Sequence, residues 1–491
     1  MTSRDNGVAE ADSVKLANSR VSPFVRIDAV FGTRLGLASF AVFLVFGCVV
    51  YLNTWNTEFF LDGVHLIQTY DSAALREALT GNWEPNNWET PGYRPLSALF
   101  NHARSLLFGE FVLAHRFFLI TLMALSLSLL TRAGVALGTG HWAGIAAGVF
   151  LLAAPNNYYH IAWLSDGLHI VPTLLGAVAI FAAARSPAAW GGAPWRCVLV
   201  HTAGVAALLA REEGVAMYGV AVVVALVRGP GPLWRRVLAY AVPAALLLVG
   251  FLVLRQALVP EAADPRRSHG ALGGYFHTWS RSALHSINFM ALRLTAGRTA
   301  WGVGLAALIT AGLIFAPPPR RRVVALYIGF VLISLGPLAF VYRENIVLAP
   351  SLFAAMVLAM CVESVVRAAG RVPGAVLLAG AVLIVVLMVR ENKIYQEIFH
   401  PYSAAALESQ AWVLGDRNVH IPDVRRERMS RRLRAVGVPD VPYRDVRPEA
   451  ERLVERCEGR RRPDGEQPFL ARRYQWIYRA GGLTADQRAL Q

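Results

Sequence analysis

Charge is scarce in this chain. Of its 491 residues only 16% are Asp, Glu, Lys or Arg, against roughly 25% in a soluble domain. Cysteine is scarcer still. Cys48, Cys197, Cys361 and Cys457 include no CxxC pair, so neither a disulfide framework nor a metal knuckle is indicated. No Walker loop, no GxGxxG after a strand, no HExxH and no GxSxG elbow occurs. Nucleotide-driven chemistry and serine hydrolysis are therefore unsupported. The net charge of +15 comes without aromatic-interleaved basic patches or zinc spacing, which speaks against nucleic acid as a partner. No internal repeat of solenoid period is found.

Apolar sequence is abundant. The chain is 55% hydrophobic, with a mean hydropathy of +0.42. The apolar residues form blocks of about 15 to 22, the length a hydrocarbon core of roughly 30 Å requires of a helix. In lipid each backbone N–H and C=O must be satisfied within its own segment, so the blocks must be helical. The expected fold is an all-α polytopic membrane protein with about eleven transmembrane helices. Interfacial helices in a long first outer loop and a small C-terminal extramembrane region complete it.

The blocks lie near 35–55, 111–130, 141–154, 167–184, 197–210, 214–227, 237–254, 299–316, 323–341, 346–366 and 375–389. A polar leader, 1–34, precedes a first block too long for a signal-peptide core, which reads as a retained signal anchor. Residues 35–390 make the transmembrane domain, with outer loops at 56–110 and 255–298. Residues 391–491 form a tail with 19 Lys and Arg against 15 Asp and Glu. Arg20, Arg26 and Arg34 place the N-terminus in the cytoplasm. Alternate loops then carry Arg132; Arg185 and Arg196; Arg228, Arg235 and Arg236; Arg320–Arg322; and Arg367 and Arg371. Eleven spans put the C-terminus outside the cell membrane, which in a bacterium is the inner membrane. Within the first loop, Leu96, Leu99, Phe100, Ala103, Leu106 and Leu107 share one helical face. Arg94, His102 and Arg104 lie on the other. That pattern predicts a helix lying in the interface, and Ser282–Leu294 is a second candidate.

Charges set against apolar blocks are costly and so are candidates for function. Five groups fall at the expected outer surface. Glu58, Asp62 and His65 fall at i, i+4 and i+7, one face if the segment is helical. They suit a divalent cation or a general base; a wet face at a membrane exit is the plainer alternative. Arg94, at a helix start, suits a phosphate or simple snorkelling. Asp166 and His169 follow an interfacial Trp163, in a site or in a polar turn. Arg211, Glu212 and Glu213 divide about thirty apolar residues, as a ligand site or as a self-neutralised turn. Tyr342-Arg343-Glu344 makes a tight outer turn, with Arg343 free for a lipid phosphate or paired with an acid.

These motifs, in this order, resemble the GT-C superfamily of membrane glycosyltransferases. The nearest likeness is to protein O-mannosyltransferases and to bacterial lipid-A and cell-envelope sugar transferases. It rests on Phe59-Phe-Leu-Asp62-Gly, Tyr93-Arg-Pro-Leu96, Ala162-Trp-Leu-Ser-Asp166-Gly-Leu, Arg211-Glu-Glu-Gly214 and Tyr342-Arg-Glu-Asn-Ile-Val-Leu-Ala-Pro350. The likeness covers roughly residues 35–390. The chain departs from it in having Gly63 where relatives often pair a second acid, which opens the question of metal use. Its tail has no tetratricopeptide pattern.

The resemblance implies a hexosyl- or pentosyltransferase that moves a sugar from a polyprenyl-phosphate donor to a protein, lipid or glycan hydroxyl on the outer face. Asp62 would be the general base of an inverting displacement. Arg343, with Arg94 and Arg211 behind it, would bind the donor phosphate. Asp166, His169, Glu213, Glu58 and His65 would position sugar or acceptor. Mg or Mn at Asp62 is the cofactor such a site would take. The rival readings are a transporter or flippase of lipid-linked saccharides, a ligase or polymerase of surface polysaccharide, and a structural subunit.

Overall fold

The computed structural model describes residues 35–54, 69–83, 92–109, 111–164, 166–185, 195–229, 231–259, 280, 298–339 and 348–397. Among the described residues all regular structure is helical, with no strand. In chain order the helices are α1 Leu35–Val50, α2 Ser72–Thr80, α3 Pro95–Phe108, α4 Val112–Leu137, α5 His141–Ala153, α6 Tyr158–Ala162 and α7 Ile170–Ala184. They continue with α8 Trp195–Ala210, α9 Gly214–Arg228, α10 Leu233–Leu258, α11 Arg298–Phe315, α12 Pro318–Leu335, α13 Leu348–Ala368 and α14 Arg371–Glu397.

Each of the eleven apolar blocks falls on one of these helices. Their lengths differ more than the blocks suggest. α4, α7 (extended back to Gly167), α10, α13 and α14 are long and apolar enough to cross a membrane. α5, at 13 residues, rises only about 20 Å at 1.5 Å per residue. α14 also runs further than its apolar block, carrying buried Glu391, Asn392 and Gln396 near its end. The first residues of the expected tail, 391–397, thus belong to a helix; the rest of the tail, and the second candidate interfacial helix at 282–294, lie outside the described residues.

α4 packs between α1 and α7, and α7 against α8 and α9. α13 packs on α5, α11 and α12. Small residues permit close approach. A Cβ added to Gly204 would stand 2.1 Å from Tyr218, and one on Gly148 would stand 2.3 Å from Phe43. α10 and α14 lie at the rim. Only Phe251 is buried over Val242–Leu258, while Leu246, Val249, Val253, Val376, Val382 and Leu383 are exposed. Meanwhile Ser126, Ser128, Thr131, His115 and Arg116 are buried. Apolar outside with polar inside is the arrangement of a protein solvated by lipid, so the chain is a multi-pass membrane protein. α10 contains a π turn, Val237–Ala241. The Ala239 carbonyl accepts from His201 Nε2 at 2.9 Å and from Cys197 Sγ at 3.1 Å. Since a carbonyl only accepts, Nε2 carries the proton, and His201 Nδ1 accepts from the Tyr218 hydroxyl at 2.6 Å.

Arginines of the basic loops cap helix ends. Arg196 donates to the Ala182 and Ala183 carbonyls closing α7. Arg236 donates to Leu226 and Val227 at the end of α9. Arg321 donates to Ile314 and Ala316 at the end of α11, both at 2.8 Å. Nearby, Glu363 pairs with Arg320 and Arg367. Cations at C-terminal carbonyls satisfy orphan acceptors and complement the helix dipole. The residues that read as topology signals therefore also finish the helices.

Candidate active site

Local sequence prepares α3 to deliver an arginine. Arg94 occupies the N-cap position and Pro95 the first helical residue, where its missing N–H costs nothing. The Arg94 carbonyl accepts from Ser97 and Ala98 amides. Trp83 is held beside it, since the Trp83 amide donates to the Gly92 carbonyl at 3.0 Å. The Arg94 guanidinium lies over the indole, 5.3 Å from its ring centre.

α3 is amphipathic as its spacing predicts, but its polar face turns toward the protein. Ser97, Asn101, Arg104 and Ser105 are buried, while Leu106 and Leu107 are 63% and 70% exposed. A helix with water on one side would do the reverse. Here the outward surroundings are apolar and the protein supplies the polar partners. Ser97 Oγ donates to the Ala210 carbonyl at 2.6 Å, and Arg104 Nη2 to the Leu164 carbonyl at 3.0 Å. The helix thereby joins the α8–α9 turn to the turn before α7.

The α8–α9 turn is Arg211-Glu212-Glu213-Gly214. The Gly214 amide donates to the Arg211 carbonyl at 2.8 Å. The turn closes over α8 so tightly that a Cβ on Gly214 would lie 2.2 Å from the Ala207 carbonyl oxygen. Two acids thus stand at the start of α9, where the positive end of the helix dipole favours them. Glu212 Oε2 accepts from Arg94 Nε at 2.9 Å, and its Oε1 lies 3.5 Å from Arg255 Nη2 at the end of α10. Glu213 Oε2 meets His169 Nδ1 at 2.6 Å, and its Oε1 lies 3.5 Å from Arg211 Nε. The carboxylate–imidazole contact fixes which nitrogen of His169 faces Glu213. His169 and His160 are both buried, with ring centres 5.2 Å apart.

Burial pushes the Glu212 carboxyl up, but the Arg94 and Arg255 guanidiniums outweigh it and hold the group down at about 2. Burial likewise raises Glu213, and His169 and Arg211 reverse the sign and hold it below its ordinary range. Both acids are ionised at neutral pH. Among the described residues, three guanidiniums and two carboxylates thus meet at one end of an apolar bundle.

The structure brings together four residues selected from sequence: Arg94, Arg211, His169 and Glu213. Asp166 opens the helical turn Asp166–His169, three residues from His169. Asp62, Glu58, His65 and Arg343 lie outside the described residues. Sequence inspection did not single out Arg255 or the linking role of Glu212. Arg255 sat at the edge of an outer loop with no motif around it, and Glu212 was one of two adjacent acids. Among the described residues no group of three His, Cys, Asp or Glu is placed to hold a metal, and Asp62, the expected metal ligand, is not among them.

No protein-family model matches the chain, and no curated protein matches it. Among solved structures it is similar to ArnT from Cupriavidus metallidurans, crystallised bound to undecaprenyl phosphate. Identity is 15%, the match covers 80% of this chain and 84% of that one, and the TM-score is 0.43.

Proposed function

We propose that the chain is a membrane glycosyltransferase that moves a sugar from a polyprenyl-phosphate donor to an acceptor hydroxyl at the outer face. The observation that carries this reading is the Arg94–Glu212–Arg255 and Arg211–Glu213–His169 cluster at one end of the bundle. A lipid-borne phosphate would reach such a cluster from the bilayer, and a hydroxylic acceptor from water. In the reaction the acceptor oxygen attacks the anomeric carbon as the carbon–oxygen bond to phosphate breaks. Asp62 takes the acceptor proton, and one displacement inverts the anomeric centre. The leaving phosphate gains negative charge, which Arg343, Arg94 and Arg211 stabilise where it develops. Asp166, His169, Glu213, Glu58 and His65 orient sugar or acceptor. Mg or Mn, if used, would be held at Asp62 and assist the same departure. The full membrane layout proposed is eleven spans, with the N-terminus cytoplasmic and the C-terminus outside.

The test is transfer of labelled sugar from a polyprenyl-phosphate donor by the purified protein and by Asp62→Asn. Turnover by the wild type that falls by roughly 100-fold or more in the variant, with donor binding kept, is the expected result. Donor binding without transfer, combined with saccharide movement across vesicles, would replace this reading by a flippase.

A further inference from the structure

We infer that His201 is a positioning residue: with Pro243 it holds a π turn in α10, and that turn brings Arg255 round to Glu212. Pro243 has no N–H, and its ring crowds the carbonyl four residues back, that of Ala239. α10 therefore does not run on as an α-helix at this point. It widens over Val237–Ala241, where the Val242 amide donates to the Val237 carbonyl five residues back. The Ala239 carbonyl loses its α-helical donor, and a bare carbonyl is costly in lipid. α8 supplies the replacement. His201 Nε2 donates to that carbonyl at 2.9 Å, and Cys197 Sγ donates at 3.1 Å. The Tyr218 hydroxyl of α9 donates to His201 Nδ1 at 2.6 Å and fixes the ring.

Both ends of α10 reach the same neighbour. Arg236, before the turn, donates to the Leu226 and Val227 carbonyls at the end of α9. Arg255, beyond the turn, lies 3.5 Å from Glu212, just before the start of α9. The two arginines are 19 residues apart. Five turns of α-helix take about 18 residues. An unbroken α-helix that kept Arg236 on α9 would therefore present Leu254 to Glu212, and Leu254 is instead 42% exposed. The π turn absorbs the surplus residue. Beyond it Ala244, Leu248, Phe251 and Arg255 recur every three or four residues on the inner side. Packing does little to fix this rotation, since only Phe251 is buried over Val242–Leu258. Closing the π turn to an α turn would swing everything beyond it by about 100° and turn Arg255 off Glu212. His201 thus acts on the charged cluster from about 24 Å along α10, at 1.5 Å for each of the 16 residues from Ala239 to Arg255.

The placement of Arg255 stands on geometry; its bearing on turnover rests on the transferase reading above. The experiment frees the turn and then removes the surplus residue. His201→Phe combined with Pro243→Ala takes away the donor from α8 and returns an amide to Ala239, so the turn closes to α. Deleting Ala241 from that double variant shortens the separation of 19 by one and returns Arg255 to Glu212. The readout is SDS titration in mixed micelles. It gives the factor by which Arg255→Gln changes the unfolding constant with Glu212 in place, relative to the same change in Glu212→Gln. That factor should be roughly threefold in the wild type, the scale of a partly exposed ion pair, within about 1.3-fold of unity in the double variant, and roughly threefold again after the deletion. A packing role for His201 gives no reason for a deletion to restore anything. A coupling absent from the wild type, surviving in the double variant or still lost after the deletion overturns the inference. If the double variant does not fold, the deleted form decides alone: folded and coupled it supports the register, and unfolded or uncoupled it overturns it. Turnover from a polyprenyl-phosphate donor, counted per folded protein, should fall by roughly tenfold in the double variant and recover on deletion; unchanged turnover overturns the bearing on catalysis. A wild type without turnover removes the transferase reading, and the coupling then decides the placement by itself.

Discussion

Neutralising Glu212 removes the counter-charge of two arginines and disconnects α3 from the α8–α9 turn. Arg94 is 7% exposed, so in Glu212→Gln its guanidinium faces a neutral amide in a largely dry setting. Holding a carboxyl from its ordinary range down to about 2 corresponds to roughly 3 kcal/mol of preference for the charged form. The Glu212 side chain is 27% exposed, and solvent screening reduces the figure to about 2 kcal/mol. Most of it belongs to Arg94, hydrogen-bonded at 2.9 Å, rather than to Arg255 at 3.5 Å. A double-mutant cycle of Glu212→Gln with Arg94→Gln should therefore return a coupling of roughly 1 kcal/mol or more. The assay is unfolding of the four proteins by SDS titration in mixed micelles. Additivity of the two single variants to within about 0.3 kcal/mol would refute the pairing and, with it, the account of how α3 is held.

Four further outcomes are expected. Glu212 is depressed, so its stabilisation is complete above the ordinary carboxylate range near pH 4 and is lost as pH falls toward 2; the stability gap between wild type and Glu212→Gln should be flat from pH 5 to 8 and close below 4. Gly214→Ala should abolish the folded protein in size-exclusion profiles, because its Cβ meets the backbone of Ala207, whereas Gly250→Ala on α10, with nothing within 4 Å, should be tolerated. His169→Gln removes the nearest partner of Glu213, so the Glu213 carboxyl should rise and the acidic limb of kcat/KM should move to higher pH. Arg255→Gln should weaken the hold on Glu212 less than Arg94→Gln does, read in the same SDS titration.

The helices were legible in the sequence because lipid leaves a backbone no alternative. An apolar block long enough to enter a bilayer must satisfy its own amides, so composition alone marked where helices fall, five of which among the described residues are long and apolar enough to cross a membrane. The same holds for the α3 start, where Pro95 follows Arg94, and for the polar residues worth watching. Sequence spacing could not say which way α3 would turn. Amphipathy defines two faces, and only the packing against Ala210 and Leu164 put the polar one inward. Nor does the apolar pattern mark the end of α14, since Asn392 and Gln396 are polar residues buried by their partners in α1 and α5.

By itself the sequence determined a lipid-solvated helical bundle with charged segments between its helices, since hydrophobicity and backbone hydrogen bonding act within each segment. Tertiary structure alone decided the partners. Arg94 meets Glu212 across 118 residues and His169 meets Glu213 across 44. Such pairings depend on the rotation of each helix about its axis and on which helices become neighbours, quantities set by packing the whole chain and carried by no local pattern.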